Sequence, residues 1–478
     1  SPDGKKAVLI EEVPIQGAPR YTNTIYDYGQ FGNHSWEEFS AFFAKAVVNI
    51  IRRMEERRRA EEKTWKPAVV WGNDSQAAGA MALIVDEKDK ARGQDDSVFN
   101  DIYPVFTTHT FGNRQGFDVN QIDRILGRLI GLRAKWFTAT VRWDHMDMAT
   151  LTLRLVDGAG GLVNTVSRKH KMVLDRWQFD PLAKTKAITN GDDLQRAWGI
   201  VQGIYKNLYG RRPHDADGLR WQEARGIIQE AVRRVNVSFT AEGGNELGLD
   251  PEKPIVSYAG RLVSVKISPY RMFTEHNIRR LVADGFNVVL LGRLQNHPES
   301  VELAERYHRM AQDIEAIKAR EPENTSAWGK LVFKTQFNDA QKQLMLIASA
   351  LVALDSDDET GTAEWTEVNG AIALSWILAS PWKLRASKYK IIKGEGIIGE
   401  ANEEGINLVI PDTGGNVSLE EAYYRAVKVK LQSAVGRPEE FYHGTIQSAQ
   451  LARIVHGAVT ASVYLMEWSR NLERMRQW

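Results

Sequence analysis

The chain has 478 residues, more than one ordinary domain holds, and is read as two domains of about 200 residues or more each. With 43% hydrophobic and 26% charged residues it has the composition of a soluble globular protein. Lys+Arg 62 against Asp+Glu 61 leaves a net charge of +1, which excludes a basic nucleic-acid coat or an acidic tail, and the absence of cysteine excludes disulfides, Cys-zinc sites, iron–sulfur clusters and thiol catalysis.

No run reaches the roughly 18 apolar residues of a membrane span, and the start carries no signal-peptide pattern. The expectation is a cytoplasmic protein, or one in a plastid-like compartment if eukaryotic, with no membrane and no nucleic-acid partner. The fourteen tryptophans are many; most serve packing, although sugar-binding proteins also use such flat rings.

In chain order, short apolar runs alternate with long helical patterns. Strands are predicted at Lys6–Glu11, Ala68–Trp71, Pro104–His109, Gly161–Val166 and Lys186–Thr189. Between them, helices are predicted at Trp36–Glu62, Val119–Leu132, Asp193–Asn207 and Leu219–Val235. The stretch Ala241–Pro254, with three glycines and two prolines, reads as a linker. A second series of strands follows at Ile255–Ala259, Asn287–Leu291, Leu331–Lys334, Leu351–Asp355, Ala371–Ser375 and Asn407–Pro411. Helices alternate with these at Phe273–Ala283, Pro298–Ala319 and Asp339–Ser349, and Thr445–Trp478 is one long helical pattern.

Strands alternating with helices imply parallel sheets covered on both faces. The fold class is therefore α/β, with two doubly wound Rossmann-like domains facing a cleft. Residues 1–245 form the first, 246–445 the second, and 446–478 a terminal helix that caps the second or crosses back to the first.

In such sheets ligands sit beyond the carboxyl ends of the strands, so the residues there are the candidates. Asp74 and Gln76 follow the strand at Ala68–Trp71, and Asp74 equally suits the N-cap of the next helix. His109 closes the next strand, where a histidine is more often structural than catalytic. Asn190-Gly191 follows Lys186–Thr189 and is a turn signal in its own right. In the second domain, Arg261 and Lys266 stand five apart on the turn leaving the first strand. Two cations there can converge on one phosphate group; a solvated charge pair is the plainer reading. After Leu351–Asp355, Glu359 and Glu367 stand eight apart. Thr360, Gly361 and Thr362 between them can offer backbone N–H groups at a helix N-terminus, where Glu359 also complements the helix dipole.

Together these segments resemble the GT-B retaining glycosyltransferases, above all bacterial glycogen and plant starch synthases. Trp71-Gly-Asn-Asp-Ser-Gln-Ala is similar to the family's His-Ala-His-Asp-Trp-Gln-Thr, Phe106-Thr-Thr-His109 to its Phe-Thr-Ile-His, and Asn164-Thr-Val-Ser167 to its Thr-Thr-Val-Ser. Ile188-Thr-Asn190-Gly191-Asp-Asp193 is similar to Ile-x-Asn-Gly-Ile-Asp. Arg261 and Lys266 match Arg-x4-Lys, and Glu359 to Glu367 matches Glu-x7-Glu. The six stand in the family's order, each at a strand end.

The resemblance implies that Arg261 and Lys266 hold the donor's diphosphate, Glu359 a hydroxyl of the transferred glucose, and His109 the sugar from across the cleft. It places Asp74, Gln76 and Asn190 on the sugar and acceptor side, and Thr360–Thr362 and Glu367 at the donor. Phe337, 22 residues before Glu359, stands where the family stacks an aromatic ring on the nucleotide base; it equally suits a helix staple before Asp339.

The chemistry implied is transfer of glucose from ADP-glucose or UDP-glucose to an α-1,4-glucan or oligosaccharide, with no cofactor and no metal. Asp355-Ser-Asp357 imitates a metal-binding Asp-x-Asp, but its neighbours match the Glu359 strand end better. The alternatives are a transferase acting on a small acceptor, and an inactive glucan-binding homologue. Two departures stand out. The Glu359 loop reads Glu-Thr-Gly-Thr-Ala instead of Glu-Pro-Cys-Gly-Leu. Nothing matches the family's Lys-Thr-Gly-Gly-Leu loop, which is expected to lie outside this chain, since Ser1-Pro-Asp-Gly resembles family sequence further in.

Overall fold

The computed structural model describes residues 36–61, 69–94, 97–108, 116–118, 123–136, 145–165, 186–187, 194–213, 218–240, 245–267, 272–295, 297–354, 376–379, 389–394, 397–402, 407–411 and 417–456. The predicted strand Lys6–Glu11 and the end of the long terminal helix pattern lie outside them.

The first part opens with helix α1 (Trp36–Ala60), followed by β1 (Val69–Asn73), α2 (Asp74–Lys90), α3 (Val98–Asp101) and β2 (Tyr103–Thr108). After a short β3 (Gly116–Asp118) comes a π-helix (Asp123–Ile130), within the stretch where an ordinary helix was predicted. Then follow β4 (His145–Asp147), α4 (Met148–Gly158), β5 (Leu162–Thr165) and β6 (Lys186–Ala187). Strands β1, β2, β5 and β6 make a parallel sheet in that order, while β3 and β4 pair antiparallel by themselves. The crossover helices α2 and α4 bury Met81, Ile84, Leu151 and Val156 against Phe106 and Val163 of the sheet. Each such side chain removed from water contributes about 1.5–3 kcal/mol.

The second part begins before the linker. Helices α5 (Leu194–Tyr209) and α6 (Trp221–Ser238) precede residues 241–254, yet Tyr205, Ile227, Ala231 and Val235 share one core with the larger sheet. That sheet is built from β7 (Ile255–Arg261), β8 (Asn287–Arg293), β9 (Leu331–Lys334), β10 (Leu351–Leu354), β11 (Trp376–Ala379) and β14 (Asn407–Pro411), with the hairpin β12 (Tyr389–Gly394) and β13 (Ile397–Asn402) on its edge. The predicted fifth strand, Ala371–Ser375, lies outside the described residues; the described strand that follows it is Trp376–Ala379. The hairpin is an antiparallel addition that the alternating pattern did not announce.

The intervening helices are α7 (Ser264–Ile267), α8 (Glu275–Ala283), α9 (Pro298–Arg320), α10 (Pro322–Thr325), α11 (Asp339–Ala348), α12 (Leu419–Gly436) and α13 (Pro438–His456). Helix starts are set by side chains: Thr274 accepts from Asn277 N, Asn338 and Gln341 form a reciprocal capping box, and Ser418 accepts from Glu421 N. Helix α12 is clamped to α8 by Arg280, whose guanidinium lies 3.4 Å over the Tyr424 ring and pairs with Glu421 at 2.5 Å. The hydrogen bond from Arg280, helped by Arg425, holds the Glu421 carboxyl down at about 2.

The order of the parallel strands, β9-β8-β7-β10-β11-β14, decides where a ligand can sit. Counted along the chain this is 3-2-1-4-5-6, the dinucleotide-binding order. The direction of winding reverses between β7 and β10, which are hydrogen-bonded neighbours. Crossovers leave to opposite sides there and open a crevice at the carboxyl edge.

Candidate functional site

Strand β7 runs buried from Ile255 to Ala259 and then emerges, leaving Arg261 exposed as its last residue. Arg261 thus ends the strand instead of lying on the turn, and Lys266 falls on the one-turn helix α7. The backbone here is pinned on several sides. Tyr258 Oη donates to Arg261 O at 2.5 Å, Leu262 N donates to Arg293 O at 2.9 Å, and Ser264 N donates to Glu299 Oε1 at 3.1 Å. Burial pushes the Tyr258 phenol far up, so it stays a donor. Gly260 is required: a Cβ there would stand 2.7 Å from the Tyr258 hydroxyl.

The neighbour across the switch point is β10. Its register sets Leu351 beside Val256 and Val352 beside Ser257, so β10 ends at Leu354 level with Ala259, just before β7 ends at Arg261. The chain leaving β10 carries Glu359, Thr360, Gly361, Thr362 and Glu367, which lie outside the described residues. The two strand ends, one carrying Arg261 and the other leading into this segment, are adjacent, parallel and on one edge.

Strands β8 and β9 flank β7 on the other side. β8 ends in an exposed Arg293, paired in register with Arg261. Phe337 follows β9 and precedes the Asn338–Gln341 capping box, which fixes its turn. Its ring is partly buried against the core and lies 5.5 Å from the Arg293 guanidinium. The position expected to complete a helix staple is Lys342, so an apolar staple partner is missing. Arg293 was overlooked because an arginine after a buried strand reads as a surface charge; its repeat of the Gly-Arg-Leu around Arg261 was the available signal.

In the first sheet all strands present their carboxyl ends to one edge as well. Asp74 differs from its predicted role. The N-cap is Asn73, with extended backbone, and Asp74 is the first helical residue at φ 63, buried to 8% exposure. A buried acid held in a left-handed conformation at a strand end marks a position whose backbone the surroundings constrain. Beside it a polar row crosses the sheet: Trp71 Nε1 donates to Thr107 Oγ1 at 2.8 Å, and Thr107 Oγ1 donates to Asn164 Oδ1. Thr107 and Asn164 are fully buried, in register on β2 and β5. His109 and Asn190 lie just past β2 and β6, outside the described residues, and the Gln76 side chain is not described.

No protein-family model matches the sequence, and no curated protein does. Among solved structures, the chain is similar to the catalytic domain of starch synthase IV from Arabidopsis thaliana bound to ADP and acarbose. The similarity has a TM-score of 0.59 at 15% sequence identity and covers 93% of this chain and 79% of that one. Among the described residues no helix is long and apolar enough to cross a membrane. The likeness and the parallel sheets agree on the architecture: the chain has the two-domain Rossmann-like GT-B fold.

Proposed function

We propose that the protein is a retaining glycosyltransferase that moves glucose from a nucleotide-glucose to a glucan, as a starch or glycogen synthase does. One observation carries this reading: Arg261 emerges at the β7–β10 switch point of a sheet in dinucleotide-binding order, next to the strand that precedes Glu359 in the sequence. The similarity to a starch synthase domain bound to ADP and acarbose supports it.

In this reading residues 246–445, with α5 and α6 packed onto their core, bind the donor, and the smaller sheet within residues 1–245 faces the acceptor. Arg261 and Lys266 take the diphosphate. Their charges serve the transition state, in which negative charge accumulates on the departing phosphate while the acceptor hydroxyl attacks the same face of the sugar. Glu359 orients the glucose hydroxyls, with Thr360, Gly361, Thr362 and Glu367 completing the donor loop. Phe337 carries the base. His109, Asp74, Gln76 and Asn190 line the sugar and acceptor side. Two cations neutralise a diphosphate without a metal.

The test is nucleotide release from ADP-glucose and UDP-glucose with a glucan present and EDTA added. Arg261→Ala and Lys266→Ala should each lower kcat by roughly 10²–10³, the cost typical of one removed transition-state donor. Together they should cost less than the sum, since both act on one diphosphate. Unchanged turnover in both single variants, or loss of wild-type activity with EDTA, refutes the assignment. Transfer to small sugars alone would make the acceptor small; donor binding without turnover would make the protein a glucan-binding homologue.

A further inference from the structure

Two neighbouring strands of the larger sheet close on the same tripeptide. β7 ends at Gly260-Arg261-Leu262 and β8 at Gly292-Arg293-Leu294. The register pairs glycine with glycine and arginine with arginine. Two arginine side chains therefore leave the sheet from paired positions, on strands about 5 Å apart. Like charges at paired positions repel, and such a pair is kept where something compensates it. Among the described residues neither guanidinium meets a carboxylate. The nearby Glu299 is already engaged with Ser264 N. Arg293 instead lies over the Phe337 ring. Gly292 lets this arrangement form, since a Cβ there would come within 2.9 Å of Leu262 Cδ1 and 3.3 Å of Phe333.

The sheet order lines these ends up as β10, β7, β8, β9. In the donor reading above, on which this inference rests, the sugar belongs to the loop after β10, the diphosphate to Arg261 after β7, and the base to Phe337 after β9. The end of β8 then faces the piece that joins diphosphate to base, the ribose with its attached phosphate. We propose that Arg293 binds the ribose-linked phosphate of the nucleotide, with the Phe337 ring orienting its planar fork. It is an affinity residue that grips donor and product nucleotide alike, whereas Arg261 serves the outer phosphate that leaves with charge.

Titration calorimetry with ADP, AMP, adenosine and inorganic pyrophosphate, repeated with UDP and UMP, separates the two arginines. Arg293→Ala should weaken AMP and ADP roughly ten- to hundredfold, the range for a hydrogen bond to a charged group, and leave adenosine and pyrophosphate near wild type. Arg261→Ala should do the reverse, weakening ADP and pyrophosphate and sparing AMP. Arg293→Gln keeps the length and polarity of the side chain and should lose AMP as the alanine variant does, which rules out a mere packing effect through Phe337. In turnover, Arg293→Ala should raise the donor KM with kcat nearly unchanged. If wild type binds ADP or UDP but Arg293→Ala binds the monophosphate equally well, the assignment of Arg293 is overturned and the donor site stands. If wild type binds none of these nucleotides, the donor reading falls and Arg293 with it.

Discussion

Asp74 offers a test that separates backbone strain from side-chain chemistry at one position. A left-handed conformation costs an L-residue about 1–2 kcal/mol and costs glycine almost nothing. Glycine gives back about 0.5–1 kcal/mol through its freer unfolded chain. At φ 63, Asp74→Gly should therefore be more stable than Asp74→Ala by about 1 kcal/mol, although both lose the same carboxylate. Because that carboxylate is buried, both should fall below wild type by about 1–3 kcal/mol as its partner is left unsatisfied. Asp74→Asn, which tolerates the left-handed region and keeps the shape, should lie between wild type and glycine. With a urea slope of about 2–3 kcal/mol/M, the glycine–alanine gap appears as about 0.3–0.5 M in the unfolding midpoint. Acceptor affinity should fall in all three variants, independently of their stability order. An alanine variant as stable as the glycine variant, or more so, would refute the strain argument.

Gly329→Ala would place a Cβ 1.9 Å from the carbonyl oxygen of Phe286, backbone that cannot step aside, and should cost about 3 kcal/mol or more by thermal melting. Glu421, its carboxyl held at about 2 by Arg280 and Arg425, has a folded pKa below its unfolded value of 4.5. Its contribution is therefore fully present above pH 4.5 and is lost as the pH falls toward 2; for side chains 26% and 31% exposed it amounts to about 1–2 kcal/mol. Denaturant midpoints should show this acid-side loss in wild type and a flatter profile in Glu421→Gln. Gly260→Ala should lower donor turnover more than stability, because the displaced Tyr258 hydroxyl releases the carbonyl of Arg261.

Much of the α/β alternation was legible because doubly buried strands must be short and apolar. Leu331–Lys334 and Asn407–Pro411 sit where their Val, Ile and Leu content puts them. Strand ends were read a residue or two short, since Gly260 and Arg261, or Gly292 and Arg293, extend a strand past its apolar run. The β12–β13 hairpin was missed because an antiparallel edge needs no helix and breaks the alternation. The membership of α5 and α6 in the larger core was hidden because the linker composition marks a flexible stretch, not the place where packing changes partner. At the candidate site, the spacing of Arg261 to Lys266 marked both as candidates. For Arg293 the repeated Gly-Arg-Leu was the one sign in the sequence; its pairing with Arg261 comes from register across two strands, which sequence separation conceals. Asp74 was placed correctly at a strand end, but its left-handed backbone is a tertiary constraint that no local propensity reports.

The central claim is that a nucleotide diphosphate binds where β7 and β10 part. A crystal structure of the protein with ADP tests it most directly. The outer phosphate should lie within hydrogen-bond reach of the Arg261 guanidinium, the ribose-linked phosphate on Arg293, and the base against Phe337. ADP bound at the carboxyl edge of the smaller sheet, or at the larger sheet without contact to Arg261, would contradict it.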